Sequence, residues 1–328
     1  MLKSKIIGTG AYVPDRVMTN IELESMVDTS DTWIRERTGI KERRIANDGI
    51  PVSHLAFGAA ERAVKDAMLD PLDIDLIILG TVTPDMPMPS TGCLVQKKLG
   101  ATRAAAFDVS AACSGFLYAL SIGDQFIRSG MHKRVLVIGA DMFSRVVDWS
   151  DRETCILFSD GAGAMLLEAT NGDERRTVQS THLFSDGNHG DKLYIPGGGS
   201  LNPASHDTLH GGMHYVRMRG NELFKIAVKA MVHASKEALK HNNLNAEDID
   251  LVIPHQANIR IMEAIAKKLR IPMEKVMVTI DYYGNSSAAT VPTAFDKARR
   301  SGKLREGDTV LAVAFGAGVT WASTVIQW

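Results

Sequence analysis

Cysteine is scarce in this 328-residue chain. Cys93, Cys113 and Cys155 are an odd number with no short pairing interval, which argues against a disulfide framework and leads us to expect a reducing, cytoplasmic setting. No run of about 18 apolar residues is present to cross a bilayer. The opening MLKSKIIGTGAYVPDRV reaches glycine and proline after two isoleucines, so no secretory leader is expected. Neither sign of charge is in excess, because 37 Lys plus Arg face 38 Asp plus Glu for a net charge of −1. That balance excludes a global basic field for nucleic acid or an anionic membrane, and leaves any anionic partner a local patch. The histidines show no HExxH, CxxC or HxH spacing and no GxxxxGK[ST] loop occurs, so neither a metal nor a nucleoside triphosphate is expected.

What is present is an ordinary globular mixture, 45% apolar and 23% charged, with chain enough for roughly two units of about 150 residues. An internal repeat supports two. DIDLIIL at 73–79 returns as DIDLVIP at 248–254, matching at five of seven positions, and each copy follows a helical pattern, AAERAVKDAML or MVHASKEAL. SGMHKRVLVIGA from Ser129 is echoed by SGKLREGDTVLAVA from Ser301, in each case a helix end with glycine and then an apolar strand. The order of elements predicts two similar α/β halves, residues 1–175 and 176–328, packed as pseudo-twins. Between them SDGNHGDKLYIPGGGSLNPASHDTLHGG lacks periodicity and reads as a long loop, either a plain connector or a cover for a site.

Chemistry concentrates at equivalent points of the halves. In AAAFDVSAACSGFLYALSIGDQFIRSG, residues 104–109 read as a buried strand, 110–112 as a tight turn and 114–128 as an apolar helix closed by Gly130. Cys113 therefore sits at a helix N-terminus, where unpaired N–H groups and the dipole favour a thiolate and lower the thiol pKa. A packed core cysteine fits the same residues equally well. Cys93 on an amphipathic helix and Cys155 inside an apolar strand have weaker cases. In DLVIPHQANIR a strand ends at Pro254, and His255, Gln256 and Asn258 follow where α/β strands open to ligand. The alternative for His255 is an ordinary satisfied polar group. Asn285, in IDYYGNSSAATVPTAF, precedes the helix that corresponds in the repeat to the one behind Cys113, and its alternative is a helix cap.

DVSAACSGF, PHQAN, GNSSAATVP and the terminal FGAGVTWAS, with the opening TSDTWIRERTGIKERRIA, closely resemble the β-ketoacyl-acyl carrier protein synthases of type III, in the thiolase-like superfamily. The resemblance runs along essentially the whole chain in the right order. It implies a thiolase-like α/β fold, two pseudo-symmetric halves layered α-β-α-β-α, and a decarboxylating Claisen condensation of a short acyl-CoA, acetyl-CoA by default, with malonyl-acyl carrier protein. By residue match it implies Cys113, His255 and Asn285 as catalytic residues and the N–H groups of Cys113 and Ala317 as oxyanion donors. Trp33, Arg37 and Arg152 match coenzyme A contacts, and Lys225, Arg260, Lys267 and Lys268 match a carrier-protein patch, although AKKLR alone reads as a solvated helix face. Met88 stands where the family commonly has an aromatic residue at the neighbouring subunit's acyl pocket, which implies a homodimer and leaves room for longer or branched primers. No cofactor is implied, since both thioesters are substrates. The Gly316-Ala317-Gly318 run departs from the family's usual three glycines, and an alanine N–H donates equally well. Two other readings stay open: a related condensing enzyme of secondary metabolism, and a non-catalytic acyl-binding homologue.

Overall fold

The computed structural model describes residues 2–172 and 175–328. Nine strands form its main sheet: β1 (Lys3–Tyr12), β2 (Leu76–Gly80), β3 (Ala105–Val109), β4 (Arg134–Met142), β5 (Asp160–Thr170), β6 (Thr177–Ser185), β7 (Leu251–Pro254), β8 (Thr309–Gly316) and β9 (Thr320–Gln327). They lie side by side in the order β7-β8-β9-β6-β1-β5-β4-β2-β3. From one edge to the middle, the third, second, fourth, fifth and first strands of the chain follow one another. The same sequence of places recurs from the other edge, where a parallel bridge between Val252 and Val276 stands in for a third strand beside β7. Both sets run parallel at the outside, β3-β2-β4 and β7-β8, and antiparallel towards the middle. The two DIDL copies fall on β2 and β7, and RVLVIGA and TVLAVAF on β4 and β8. Equivalent segments thus occupy equivalent places.

Seven helices of eight or more residues cover the strands: α1 (Asp31–Thr38), α2 (Val52–Asp66), α3 (Thr91–Leu99), α4 (Gly115–Arg128), α5 (Gly220–His241), α6 (Ile259–Leu269) and α7 (Thr290–Arg300). α4 and α7 touch strands from both ends of the row, while α2 packs on β1, β4 and β5 and α5 on β6, β8 and β9. The row must therefore fold around α4 and α7, joined at its middle by the single β1–β6 register pair of Lys5 and Thr177. This gives five layers, with α4 and α7 as the shared middle one. Their apolar faces meet in one cluster with Phe116, Leu120, Val291, Phe295 and Trp328, each all but excluded from solvent. Burying one such phenyl ring contributes roughly 2–3 kcal/mol. β2, and β4 from Val135 to Ala140, are apolar without alternation because helices cover both faces. Among the described residues no helix is long and apolar enough to cross a membrane.

Two expectations are corrected here. β3 is not a buried strand: Ala105 is exposed and its other residues are half-buried, because β3 ends the row and only β2 pairs with it. Cys155 closes a short helix, Arg152–Cys155, rather than lying in a strand, since Asp151 caps that turn through the Glu153 N–H. The long inter-half segment has structure of its own. Leu193–Tyr194 pairs with Arg217–Met218, and Asp186 exchanges both backbone hydrogen bonds with Val319.

Candidate active site

The two middle helices begin with the same device. A residue in left-handed backbone, Ala112 (φ 47°) or Ser287 (φ 53°), opens a 3-10 turn, Ala112–Ser114 or Ser287–Ala289, that runs straight into α4 or α7. Neither is glycine, and a non-glycine residue held there marks a backbone that its surroundings over-determine. The twin of Cys113 is therefore Ala288. Gly139 on β4 lets the second turn in, because a Cβ there would stand 2.3 Å from the Ala288 carbonyl oxygen.

That second turn ties the candidate residues together. The Ser287 hydroxyl donates to Cys113 Sγ at 3.3 Å, and the Ser287 N–H donates to Asn285 Oδ1 at 2.9 Å. Thr290 Oγ1 lies 2.6 Å from His255 Nδ1 and donates to the Ser287 carbonyl at 2.9 Å. Asn285 is itself clamped by backbone bonds to Leu157 and Ser159. With Oδ1 engaged, the Asn285 amide presents Nδ2 as a donor. The Gln256 amide is fully used, donating to the Pro254 and Met277 carbonyls and accepting from the Thr279 and Ile280 N–H groups, which fixes the loop after β7.

Cys113, His255 and Asn285 line one cavity of about 960 Å3 together with Trp33, Arg37, Arg152, Lys225 and Arg260. It runs from exposed cations to buried groups: Cys113, His255 and Asn285 are each no more than 5% exposed. The Trp33 indole has the Arg37 guanidinium carbon 5.6 Å and the Arg152 one 5.1 Å from its ring centre. Asn258 Nδ2 donates to the Arg37 carbonyl while its Oδ1 caps α6, so α1 is fastened to the His255 loop. Leu193, within the long inter-half segment, and Met218 and Arg219, shortly after it, also face the cavity. Four expected residues stand apart from it. Lys267 and Lys268 are exposed on the last turn of α6, about 10 Å along the axis from Arg260, where they suit the helix dipole. Met88 is 83% exposed. Ala317 follows β8 and is half-buried, but Gly316 rather than Ala317 faces the cavity.

The thiol is not the preformed thiolate that its helix position suggests. Burial pushes Cys113 up to about 12; the Ser287 hydrogen bond opposes this and the Asp141 carboxylate reinforces it. Asp141 is itself raised by burial, against hydrogen bonds from the Val82 N–H and other donors around it. Desolvation outweighs the dipole because the Ser287–Ala289 turn ahead of α7 and the end of β8 pack against the Cys113 turn. Ser287, Thr290 and Asp141 are the residues that motif reading passed over, although the first two lie inside GNSSAATVP. Among the described residues no group of three or more His, Cys, Asp or Glu is placed to hold a metal ion.

Burial lowers His255 from 6.5 to about 3, so the imidazole is neutral through the working range. Below about pH 6.5 the unfolded chain takes up a proton that the folded chain refuses, so stability present above that value is lost as pH falls towards 3. The loss from this group reaches about 2 kcal/mol at pH 5. Urea titrations of wild type and His255→Gln should differ accordingly, the variant losing about 2 kcal/mol less between pH 7 and pH 5. Equal losses would contradict a buried neutral imidazole.

The family model described as 3-oxoacyl-[acyl-carrier-protein (ACP)] synthase III matches residues 107–187, and its C-terminal counterpart matches residues 239–328. The chain is 52% identical to the β-ketoacyl-[acyl-carrier-protein] synthase III of Caldanaerobacter subterraneus subsp. tengcongensis, over 98% of this chain and 97% of that protein. It is 50% identical to the protein of that name from Natranaerobius thermophilus, over the full length of both. The crystal structure of 3-oxoacyl-[acyl-carrier-protein] synthase III from Aquifex aeolicus VF5 superposes with a TM-score of 0.91 at 47% identity, covering 99% of this chain and all of that one. With half of its sequence shared along its whole length, and the same thiolase-like layering, this chain belongs to the β-ketoacyl-acyl carrier protein synthase III family of condensing acyltransferases.

Proposed function

We propose that the chain takes a short acyl group from coenzyme A, acetyl by default, onto Cys113 and condenses it with malonyl-acyl carrier protein. The products are a β-ketoacyl-acyl carrier protein, CO2 and coenzyme A, and the reaction starts type II fatty acid synthesis. The observation that supports this best is a single cavity leading from an indole flanked by two guanidinium groups to a buried thiol, imidazole and carboxamide. Trp33, Arg37 and Arg152 suit the adenine and phosphates of coenzyme A, while the inner part, lined by the buried Cys113, His255 and Asn285, suits the thioester end of a pantetheine arm.

In the first half-reaction the sulfur attacks the thioester carbonyl, and the N–H groups of Cys113 and Ala317 receive the oxyanion. A thiol at about 12 must give up its proton as the bond forms. In the second, loss of CO2 leaves an enolate whose charge gathers on the thioester oxygen, to which Asn285 Nδ2 and His255 donate. Release of CO2 makes the condensation effectively irreversible. The protein itself supplies every group required, so no cofactor is needed.

An acidic carrier protein would meet Lys225 and Arg260 at the mouth, with Lys267 and Lys268 extending the surface along α6. A homodimer is part of the same reading: Met86 and Met88 are solvent-facing apolar side chains, and β3 offers an unpaired strand edge. Met88 would then reach the partner's acyl pocket. The same reading takes residue 175 as the division between the halves, which the repeated strand order supports, and takes the protein as cytoplasmic, where these substrates are made. Intact mass after mixing with acetyl-, isobutyryl- and octanoyl-CoA tests the proposal. A single acyl adduct on Cys113, discharged by malonyl-acyl carrier protein as β-ketoacyl product, is expected with acetyl and extends to the wider primers if Met88 leaves a roomier pocket. An absent adduct would overturn the reading.

A further inference from the structure

Thr290 has one hydroxyl proton and two polar neighbours within reach, His255 Nδ1 at 2.6 Å and the Ser287 carbonyl oxygen at 2.9 Å. A carbonyl oxygen only accepts. If the hydroxyl pointed at Nδ1 instead, two oxygens would face each other at 2.9 Å with no hydrogen between them. The bond to Ser287 is also the ordinary back-bond of a threonine to the carbonyl three residues earlier. Thr290 Oγ1 then has only lone pairs left for the imidazole, so Nδ1 must carry the hydrogen and Nε2 must be bare. Burial strengthens this, since His255 is 3% and Thr290 2% exposed and neither can turn to water.

From this geometry we infer that Thr290 is a positioning residue which holds His255 as the Nδ1–H tautomer, so that Nε2 serves first as acceptor and then as donor in the proposed reaction. The inference rests on that reaction and adds to it the order of proton movements. When Sγ bonds to the acyl carbon, the thiol proton passes to Nε2, the bond from the acyl carbon to coenzyme A breaks, and coenzyme A leaves as thiolate. The imidazolium keeps its Nδ1–H on Thr290 and now holds an Nε2–H. The arriving malonyl carboxylate brings the negative charge that this buried cation lacks. Its C–C bond breaks to give CO2, and the electron pair moves to the thioester oxygen, where Nε2–H and Asn285 Nδ2 donate. The enolate carbon then attacks the acyl group, Sγ departs, and it recovers its proton from Nε2. One negative charge enters on malonate and one leaves on coenzyme A, and the enzyme returns to its starting state.

The test uses the full chain labelled with 15N-histidine, with the His255 signals assigned by their loss in His255→Gln. At neutral pH, wild type and Thr290→Ser should both show a protonated Nδ1 and an unprotonated Nε2. Thr290→Val should lose that preference and form the acyl-Cys113 adduct about 10- to 100-fold more slowly, with Thr290→Ser restoring the rate. An Nε2–H signal in free wild type overturns the inference even if β-ketoacyl product is made normally, and so does a Thr290→Val chain that acylates at the wild-type rate. Because the tautomer is read without substrate, failure of the inference is distinguishable from failure of the proposed reaction, which would appear as no acyl adduct in wild type.

Discussion

Cys113→Ala is expected to abolish acyl transfer, by a factor on the order of 10⁴ or more, while leaving the fold intact and the decarboxylation of malonyl thioester measurable. The structure contains its own control for the first part. The twin turn at the head of α7 has alanine, Ala288, in the place Cys113 occupies at the head of α4, and adopts the same left-handed opening and the same 3-10 turn. An alanine at 113 therefore meets a backbone already known to suit it. Covalent transfer fails because no other cysteine can substitute: Cys93 is on α3, hydrogen-bonded to the Ala106 carbonyl, and Cys155 is sealed in a separate cluster. Decarboxylation persists at a reduced rate because Asn285 Nδ2 is still set as a donor by the Ser287 N–H without the sulfur, whereas His255, which receives no thiol proton in the variant, keeps a bare Nε2 that cannot donate. The measurement is parallel assay of CO2 release and β-ketoacyl product. Product formation by the variant at more than a thousandth of the wild-type rate would remove Cys113 from the mechanism.

Sequence patterns revealed much of this molecule because many of its rules are local. The DIDL repeats announce β2 and β7 through apolar runs bounded by turns, and GNSSAATVP announces a second helix start like that of Cys113. What remained hidden depends on groups distant in the chain. The Cys113 thiol rises rather than falls because β8 and the turn ahead of α7, more than 170 residues onward, exclude water from it, whereas the helix dipole is visible in a dozen residues. β3 reads from its flanking turn and helix as an inner strand, but only the sheet order places it at an edge. The hydroxyl of Thr290 matters through a contact with a side chain 35 residues earlier, and a motif cannot disclose which nitrogen carries a proton. Lys267 and Lys268 match the family's patch by position, yet helical rise puts them beyond the mouth where Arg260 stands.

The end of β8 yields the second large effect. Gly316 approaches the nucleophile turn so closely that a Cβ on it would lie 2.7 Å from the Cys113 nitrogen, 2.9 Å from the Ala111 carbonyl oxygen and 3.0 Å from the Ser114 nitrogen. All three are backbone atoms of a turn whose other side is already held, since Thr320 Oγ1 donates to the Ala111 carbonyl and meets Ser114 Oγ at 2.7 Å. Neither side can yield without moving the N–H of Cys113, which is one of the two proposed oxyanion donors, and Ala317, the other, is the next residue along. Gly316→Val should therefore cost about 10³-fold in the acylation rate, the loss expected when an oxyanion donor is misplaced. Binding of coenzyme A should change little, because Trp33, Arg37 and Arg152 are set by α1 and the Arg152–Cys155 turn rather than by β8. Gly316→Ala, with the same Cβ and nothing beyond it, should fall between. Single-turnover acylation followed by mass, with the dissociation constant of coenzyme A measured separately, distinguishes the two effects. A valine variant that acylates within about threefold of wild type would mean that the backbone of this turn takes no part in receiving the oxyanion.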